Sequence, residues 1–201
     1  MSVSVDGFVA GPEQSRADPV GRGGLALHQW HQRAADEQGH PVDARMRDEL
    51  LSERGAYIMG RNMFGPTRGE WGEEEWRGWW GAEPPYHAPV FVLTHYARDP
   101  IEMNGGTIFH FVTDGFEAAL SRARQAAGNL DIDIAGGALT VQQALRAGAI
   151  DELVLDVVPL IIGDGERLLD GVPALKLELL EVAHSPYATH IRYRISAPSS
   201  R

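Results

Sequence analysis

The chain has 201 residues, of which 43% are hydrophobic, and its formal net charge is −10. A chain of this size can bury one good core, so we expect a single domain over residues 1–201. The acidic balance disfavours nonspecific binding to nucleic acid, because such binding depends on clustered cations. The sequence contains no cysteine, which excludes disulfides, thiol nucleophiles and cysteine metal ligands.

The cellular compartment follows from the apolar runs. No run approaches the length of about 20 residues that spans a bilayer, and the N-terminal segment lacks the basic and apolar regions of a signal peptide. We therefore expect a cytoplasmic protein that binds neither membrane nor nucleic acid.

The first half of the chain is predicted to contain short elements and two long connections. In chain order, the expected elements are a strand ending at Asp6-Gly7, an insertion over 12–41 with a short helix at 25–35, a helix at 43–54, and a strand at 56–59 that ends in Gly60-Arg61. The loop at 64–89 follows and carries Trp71, Trp76, Trp79 and Trp80. So many aromatic residues are unusual in a connection.

The second half alternates strands and helices. The expected strands cover 89–93, 107–112, 130–134, 152–158, 175–182 and 189–195, and the expected helices cover 116–127 and 139–147. This alternation is typical of an α/β fold with a mainly parallel sheet, and the last two strands form an antiparallel hairpin. The hairpin leaves an exposed edge that favours pairing with a second copy, so we expect a homodimer.

The segment 131–145 is the most informative one. A strand runs directly into Gly136-Gly137, and a helix begins at once. Paired glycines let the backbone approach a ligand closely, and the N–H groups of the new helix face that ligand, so the segment predicts a phosphate-binding corner. The alternative is an ordinary tight turn. A Gly-x-Gly-x-x-Gly motif is absent, which disfavours a Rossmann dinucleotide fold.

Five motifs in a fixed order point to a known family. They are VSVDGFVA at 3–10, IMGRNMF at 58–64, VLTH at 92–95, AGG at 135–137 and DELVLDVVPLIIGDG at 151–165. In this order the chain resembles the dihydrofolate reductase-like family. It is most similar to the branch that includes the C-terminal reductase domain of the bifunctional riboflavin-biosynthesis deaminase/reductase.

The resemblance implies a three-layer αβα fold, NADPH as cofactor, and hydride transfer. The implied substrate is a flat heterocycle with a reducible C=N or C=O group, either a ribosylaminopyrimidine or a pterin or dihydrofolate. A noncatalytic nucleotide- or flavin-binding module of the same fold is the alternative function.

By position, the resemblance also assigns the cofactor-binding residues. It places Gly60, Arg61 and Asn62 at the adenosine-side phosphates, Thr94 and His95 beside the adenine ribose, and Gly136, Gly137, Ala138 and Leu139 at the pyrophosphate. Arg61 is the residue expected to meet the 2′-phosphate, because a guanidinium fork matches phosphate geometry and would favour NADPH over NADH.

The substrate side is assigned to a second set of residues. Asp6 is the predicted catalytic residue, expected to contact the nicotinamide carboxamide or to polarise a substrate amide; its alternative role is to cap an Asp-Gly turn. Gly163 and Asp164 are expected near the substrate mouth. The four loop tryptophans, Trp71, Trp76, Trp79 and Trp80, are expected either to stack on the substrate ring or to pack their loop onto the core, and Trp79 and Trp80 are the two assigned to the substrate.

A metal centre is not expected. His28 and His31 are three residues apart in a possible helix and offer two ligands, but the sequence provides no evident third one.

Overall fold

The computed structural model describes residues 1–36, 39–66, 68–72 and 75–196. The chain divides into two compact units. The first comprises Met1–Leu50 and Gln142–Arg201, and the second comprises Leu51–Val141. The expectation of a single domain over 1–201 stays a prediction.

Strands and helices are numbered here in chain order. The strands are β1 (Ser2–Ser4), β2 (Phe8–Ala10), β3 (Ala56–Gly60), β4 (Pro89–Leu93), β5 (Ile101–Glu102), β6 (Ile108–Val112), β7 (Ile132–Gly136), β8 (Glu152–Val158), β9 (Glu166–Arg167), β10 (Lys176–His184) and β11 (Thr189–Ser196). The α-helices are α1 (Gln29–Arg33), α2 (Pro41–Leu50), α3 (Arg61–Phe64), α4 (Phe116–Ala127) and α5 (Ala138–Arg146), and 3-10 helices cover Gly24–His28 and Asn104–Gly106.

The second unit is built on a sheet with the strand order β5-β6-β4-β3-β7. The pairs β3/β4, β3/β7 and β4/β6 are parallel, and the short β5 pairs antiparallel with β6. Helix α4 packs against β3 and β4. It does so because its buried residues recur at helical spacing, as Phe116, Ala119, Leu120, Ala123 and Ala127. The predicted α/β class with a mainly parallel sheet is confirmed here.

The tryptophan-rich loop at 64–89 covers a cluster of buried hydrophobic residues on the same sheet. Tyr57, Met59 and Phe109 belong to this core, and they alternate along their strands with residues of the other face. Trp71, Trp76, Trp80 and Tyr86 pack against it, as do other partly buried side chains. Aromatic residues of the loop, together with Phe64 of α3, therefore close this face of the sheet.

The first unit contains a sheet with the order β1-β8-β11-β10, and β2 pairs with β9. β8 is parallel to β1 and antiparallel to β11, and β10 pairs only with β11, so β10 is an edge strand. The antiparallel hairpin predicted at the C-terminal end is confirmed.

Some predicted boundaries were wrong. Helix α2 ends at Leu50, before the predicted end at residue 54. The predicted helix at 25–35 is a 3-10 helix followed by α1. The short strands β2, β5 and β9 were not predicted, because two or three residues carry no periodicity and become strands only through their partners. Among the described residues, no helix has the length and apolar character needed to cross a membrane.

A buried histidine joins the sheet of the first unit to α2. The ring of His190 bonds to Asp156 at 2.8 Å through Nδ1 and to Asp43 at 2.9 Å through Nε2. Burial of the ring opposes its protonation, but the hydrogen bonds and charges of Asp156 and Asp43 outweigh burial and raise the pKa of His190. Nearby, burial with the charge of His31 lowers the pKa of His28 to about 4.

These two histidines make opposite contributions to the pH dependence of stability. The stabilisation from His190 is fully present below the unfolded pKa of about 6.5 and is lost as the pH rises through its raised folded pKa. For His28 the unfolded state takes up the proton first, so stability falls as the pH falls from about 6.5 toward 4.

We therefore expect His190→Gln to cost more at pH 6 than at pH 9, with a loss of about 3–5 kcal/mol at the lower pH, because a buried charge pair is broken. His28→Gln is the matched variant, and it should gain stability relative to wild type as the pH falls below 6.5. Urea unfolding followed by circular dichroism measures both. An equal cost for His190→Gln at the two pH values would mean that the ring is neutral in the folded protein.

Candidate functional site

Two glycine corners of the second unit lie side by side. β3 ends at Gly60, β7 ends at Gly136, and the two strands pair with Met59 opposite Gly136. A Cβ built on Gly60 would lie 2.7 Å from Thr140 Oγ1 and 3.7 Å from the Gly137 nitrogen. Real Cβ atoms do not approach another atom so closely. Position 60 therefore needs glycine for the end of β3 to pack against the start of α5.

The Gly136-Gly137 corner has the strand–glycine–helix order that the sequence predicts. Gly136 has a φ of +131°, which favours glycine, and the peptide bond between the two glycines is cis. The Gly137 carbonyl accepts hydrogen bonds from the Thr140 and Val141 nitrogens at 3.0 and 3.2 Å, so the first turn of α5 closes on it. Among the described residues, no atom other than those of its chain neighbours lies within 4 Å of a Cβ built on Gly137, which leaves open space on that side.

Arg61 follows directly after Gly60 and is held against aromatic rings. Its Cζ lies 3.7 Å from the centroid of Trp71 and 5.4 Å from that of Tyr96. Its Nη2 is 3.5 Å from the Glu70 carbonyl, whereas the buried Nε and Nη1 have no hydrogen-bond partner among the described residues. Burial lowers the pKa of Arg61, and the charges of neighbouring arginines lower it further. The result is a guanidinium with unused donors.

Thr94 lies directly after β4 and orders the adjacent loop. Its hydroxyl accepts a hydrogen bond from the Tyr96 nitrogen at 3.2 Å and donates to the Tyr96 carbonyl at 3.3 Å. The Trp71 indole nitrogen donates to the same carbonyl at 2.9 Å. The tryptophan-rich loop and the loop after β4 are thus tied together beside Arg61.

The other predicted cofactor residues of the second unit differ in exposure. Ala138 is buried at the start of α5, whereas Asn62, His95 and Leu139 are exposed. Their contacts with a cofactor stay predictions.

Tyr96 and Arg98, which lie around Arg61, were not predicted as functional, and Trp71 was expected to stack on a substrate ring or to pack its loop, not to contact Arg61. The Arg98 Cζ lies 4.9 Å from the Trp71 centroid and 5.3 Å from that of Phe111. Arg98 is four residues beyond Thr94, and a cation just after a strand end is a weak signal in a sequence. Trp71 could not be assigned because nothing in the sequence shows where its loop folds.

In the first unit, Asp6 fastens the segment after β8. Asp6 Oδ1 accepts hydrogen bonds from Ser4 Oγ at 2.6 Å and the Ile162 nitrogen at 3.2 Å, and Oδ2 accepts one from the Gly163 nitrogen at 2.7 Å. The hydrogen bond from Ser4 lowers the pKa of Asp6, and the two backbone donors act in the same direction against a smaller effect of burial. Asp6 is therefore ionised at neutral pH, and the structure brings it together with Gly163, a contact that the sequence did not predict.

The same segment presents apolar side chains next to Asp6. The Val5 nitrogen donates to the Leu160 carbonyl at 2.9 Å, and the side chains of Val5 and Ile161 are 64% and 73% exposed. Asp164 is exposed and its Oδ1 accepts a hydrogen bond from the Gly165 nitrogen at 2.8 Å. The substrate roles of Gly163 and Asp164 stay predictions.

Trp79 and Trp80 have partners within the second unit. Trp80 stacks on Phe109 at 5.9 Å with an interplanar angle of 19° and meets Tyr86 edge-on at 5.0 Å. Trp79 meets Trp76 edge-on at 4.6 Å. These contacts attach the loop to the core, and stacking on a substrate stays a prediction for both residues.

Comparison with known proteins identifies the family. A model of the RibD C-terminal domain matches residues 1–191. The chain belongs to the RibD C-terminal domain family. The resemblance inferred from the sequence motifs is confirmed by this match.

Solved structures show the same fold. This RibD C-terminal domain superposes on a putative riboflavin biosynthesis protein from Shewanella sp. PV-4 with a TM-score of 0.63 and 18% identity, over 97% of this chain and 96% of that chain. Dihydrofolate reductase from Enterococcus faecalis, complexed with NADP(H), gives a TM-score of 0.52 and 13% identity over 97% and 93% of the two chains. The three-layer αβα dihydrofolate reductase-like fold expected from the sequence is confirmed.

Two relatives match only in part. The Thermotoga maritima diaminohydroxyphosphoribosylaminopyrimidine deaminase/5-amino-6-(5-phosphoribosylamino)uracil reductase gives a TM-score of 0.54 and 13% identity over 96% of this chain but 54% of that chain. The uncharacterised protein YwjB of Bacillus subtilis (strain 168) is 38% identical over 55 residues, which are 27% of this chain and 31% of that protein.

The contact at Gly60 provides a direct test of the glycine corners. Gly60 has ordinary extended dihedral angles, φ −81° and ψ 155°, so Gly60→Ala meets only the Thr140 hydroxyl. We expect Gly60→Ala to cost about 1–3 kcal/mol of stability, as overpacking does. Thr140→Ala should remove most of that cost in the double variant, whereas Thr140→Ser, which keeps Oγ, should not. Urea unfolding measures the coupling, and equal costs in both backgrounds would contradict the proposed contact.

Proposed function

We propose that this protein is an NADPH-dependent reductase that transfers a hydride to a C=N or C=O carbon of a ribosylaminopyrimidine, pterin or dihydrofolate-like heterocycle. The observation that carries the proposal is the Arg61 guanidinium, which directly follows a glycine corner and has two buried donors without a hydrogen-bond partner among the described residues. Buried polar groups are nearly always satisfied, so unused donors at this point indicate an anionic ligand. Membership of the RibD C-terminal domain family supports the same function.

The residues of the second unit fit the adenosine and phosphate parts of NADPH. Arg61 would bind the 2′-phosphate through Nε and Nη1, a pairing in which a guanidinium offers a planar fork. Gly137, with open space where a side chain would stand, would let the backbone approach the pyrophosphate. When bound, the reduced nicotinamide supplies the hydride.

Asp6 acts in this proposal as an orienting carboxylate. It holds the segment 162–163 through two backbone hydrogen bonds and stays ionised, so it can accept a hydrogen bond from a carboxamide or a substrate amide. Reduction of C=N or C=O also consumes a proton. Because an ionised Asp6 is a poor source of that proton, we assign water as the proton donor.

The substrate class follows from the apolar side chains beside Asp6. The side chains of Val5 and Ile161 are mostly exposed and lie next to the Asp6 carboxylate. That carboxylate accepts hydrogen bonds from the Ser4 hydroxyl and from the Ile162 and Gly163 nitrogens. A flat heterocycle with an amide edge suits such a setting, because its faces are apolar and its edge pairs with the carboxylate. Gly163 and Asp164 would then contact its polar substituents.

We also propose that the protein is a cytoplasmic homodimer. In the β10–β11 hairpin, Leu177, Leu179 and Val182 of β10 are paired with Ile195, Tyr193 and Ile191 of β11. These six side chains form one surface, here called the hairpin apolar face, and the three from β10 are 40%, 58% and 52% exposed.

The occupant we assign to the hairpin apolar face is a second copy. The ion pairs Arg45–Glu181, Arg192–Glu49 and Arg194–Glu178 lie at the alternate positions of these strands, so the charges point to the other face. Two copies with a net charge of −10 each repel one another, and an uncharged sheet face is where they can stack at least cost.

The function is tested by cofactor binding and turnover. We expect NADPH oxidation with at least one member of a panel of ribosylaminopyrimidines, pterins and dihydrofolate, and a lower Kd for NADPH than for NADH. Arg61→Gln should weaken NADPH binding about tenfold or more and leave NADH binding nearly unchanged, because one charged hydrogen-bonding group is lost. Arg122→Gln, which removes an exposed arginine paired with Asp114, is the control for net charge.

The outcomes separate the alternatives. NADPH binding without turnover on any member of the panel would favour the noncatalytic module. A wild-type protein that binds neither coenzyme would overturn the proposal.

The dimer is tested by its mass in solution. We expect sedimentation velocity at micromolar concentration to give a dimer for wild type and a monomer for Leu179→Glu, because a buried unpaired carboxylate would face its own copy. Glu178→Gln on the other face is the control and should stay dimeric. A monomeric wild-type protein would contradict the proposal.

A further inference from the structure

Arg98 lies over the same indole ring as Arg61. The two Cζ atoms are 4.9 and 3.7 Å from the Trp71 centroid, so they are at most about 8.6 Å apart. Within the described residues, neither guanidinium has a carboxylate in ion-pair contact. Two arginines thus share one aromatic platform in a chain whose net charge is −10.

Two other arginines of the second unit, Arg77 and Arg122, have protein partners. Arg77 contacts Glu75 at 3.0 Å and the Glu102 carbonyl at 2.8 Å, and Arg122 pairs with Asp114 at 3.0 Å. Arg98 instead makes only ring contacts among the described residues, with Trp71 and with Phe111. An aromatic face leaves the N–H groups at the edge of a guanidinium available, so this contact orients the group without using its donors.

Two like charges at this spacing repel each other. Burial lowers the pKa of Arg98, and the charge of Arg77 lowers it further. The pKa of Arg61 is also lowered by burial, and the charge of Arg98 contributes to that decrease. An anion placed between them removes that repulsion. A phosphate group can do so because it accepts short, charge-assisted hydrogen bonds from two guanidinium groups at once.

We propose that Arg98 is a second phosphate-binding residue, and that Trp71 positions Arg98 and Arg61 so that both donate to one phosphomonoester. This inference rests on the proposed function, since it assigns that phosphomonoester to the 2′-position of NADPH. Trp71 is a positioning residue: its indole nitrogen donates to the Tyr96 carbonyl, which fixes the ring, and both guanidinium groups lie against that ring.

The experiment uses fragments of the coenzyme as probes. Isothermal titration calorimetry of the full chain with 2′-AMP, 5′-AMP and adenosine separates the 2′-phosphate from the rest. We expect Arg98→Gln to weaken 2′-AMP binding about tenfold and to change the other two Kd values less than twofold. Arg122→Gln, the control for charge, should leave all three unchanged.

Trp71 is tested by its dependence on the arginines. Trp71→Ala should weaken 2′-AMP binding at least as much as Arg98→Gln does, and Trp71→Phe should weaken it less, because a ring face remains. In the Trp71→Ala background, Arg98→Gln should have little further effect. A merely structural role for Trp71 would instead lower the melting temperature and leave the effect of Arg98→Gln at its full size.

The failures are distinguishable. If wild type prefers NADPH and 2′-AMP but Arg98→Gln binds 2′-AMP as well as wild type does, the role of Arg98 is overturned and the proposed function stands. If wild type binds neither NADPH nor 2′-AMP, both are overturned.

Discussion

The close approach of Gly60 to Thr140 is the constraint on which the cofactor side of this protein depends. It lets the end of β3 lie beside the Gly136-Gly137 corner, and it fixes the point from which the next residue, Arg61, projects. A side chain at Gly60 would move one strand end away from the other. The absence of a Cβ at Gly60 therefore lets Arg61, the arginine proposed to bind phosphate, lie beside the Gly136-Gly137 corner.

Two groups of charged side chains in this protein have different roles. His190 lies between Asp43 and Asp156 in the interior, with its hydrogen-bonding nitrogens used, and that group serves stability. Arg61 and Arg98 lie against Trp71, and among the described residues two buried donors of Arg61 have no hydrogen-bond partner. The hydrogen bonds of His190 contribute to the stability of the fold, whereas the aromatic contacts of the two arginines leave N–H donors available, which suits the anion-binding role proposed for them.

The aromatic residues of the loop at 64–89 connect packing with this chemistry. Trp76 and Trp80 close a face of the sheet in the second unit, and Trp71, from the same loop, carries the guanidinium groups. The loop is therefore an element of the core as well as the platform of the site. Such a double role explains why a connection would keep four tryptophans, since each buries a large area at a small cost in side-chain entropy.

The sequence by itself determined the α/β class, the strands from β3 onward that have five or more residues, α4 and α5, and the order of glycine corners, because each of these is written in local periodicity or in adjacent residues. It also selected Arg61 and Asp6. It did not reveal that Trp71, Tyr96 and Arg98 surround Arg61, or that Asp6 is bonded to Gly163, because these residues are far apart in the chain and their loops carry no periodic pattern. Only the tertiary structure decides such contacts, since loop paths are set by what the loop packs against and not by the residues that compose it.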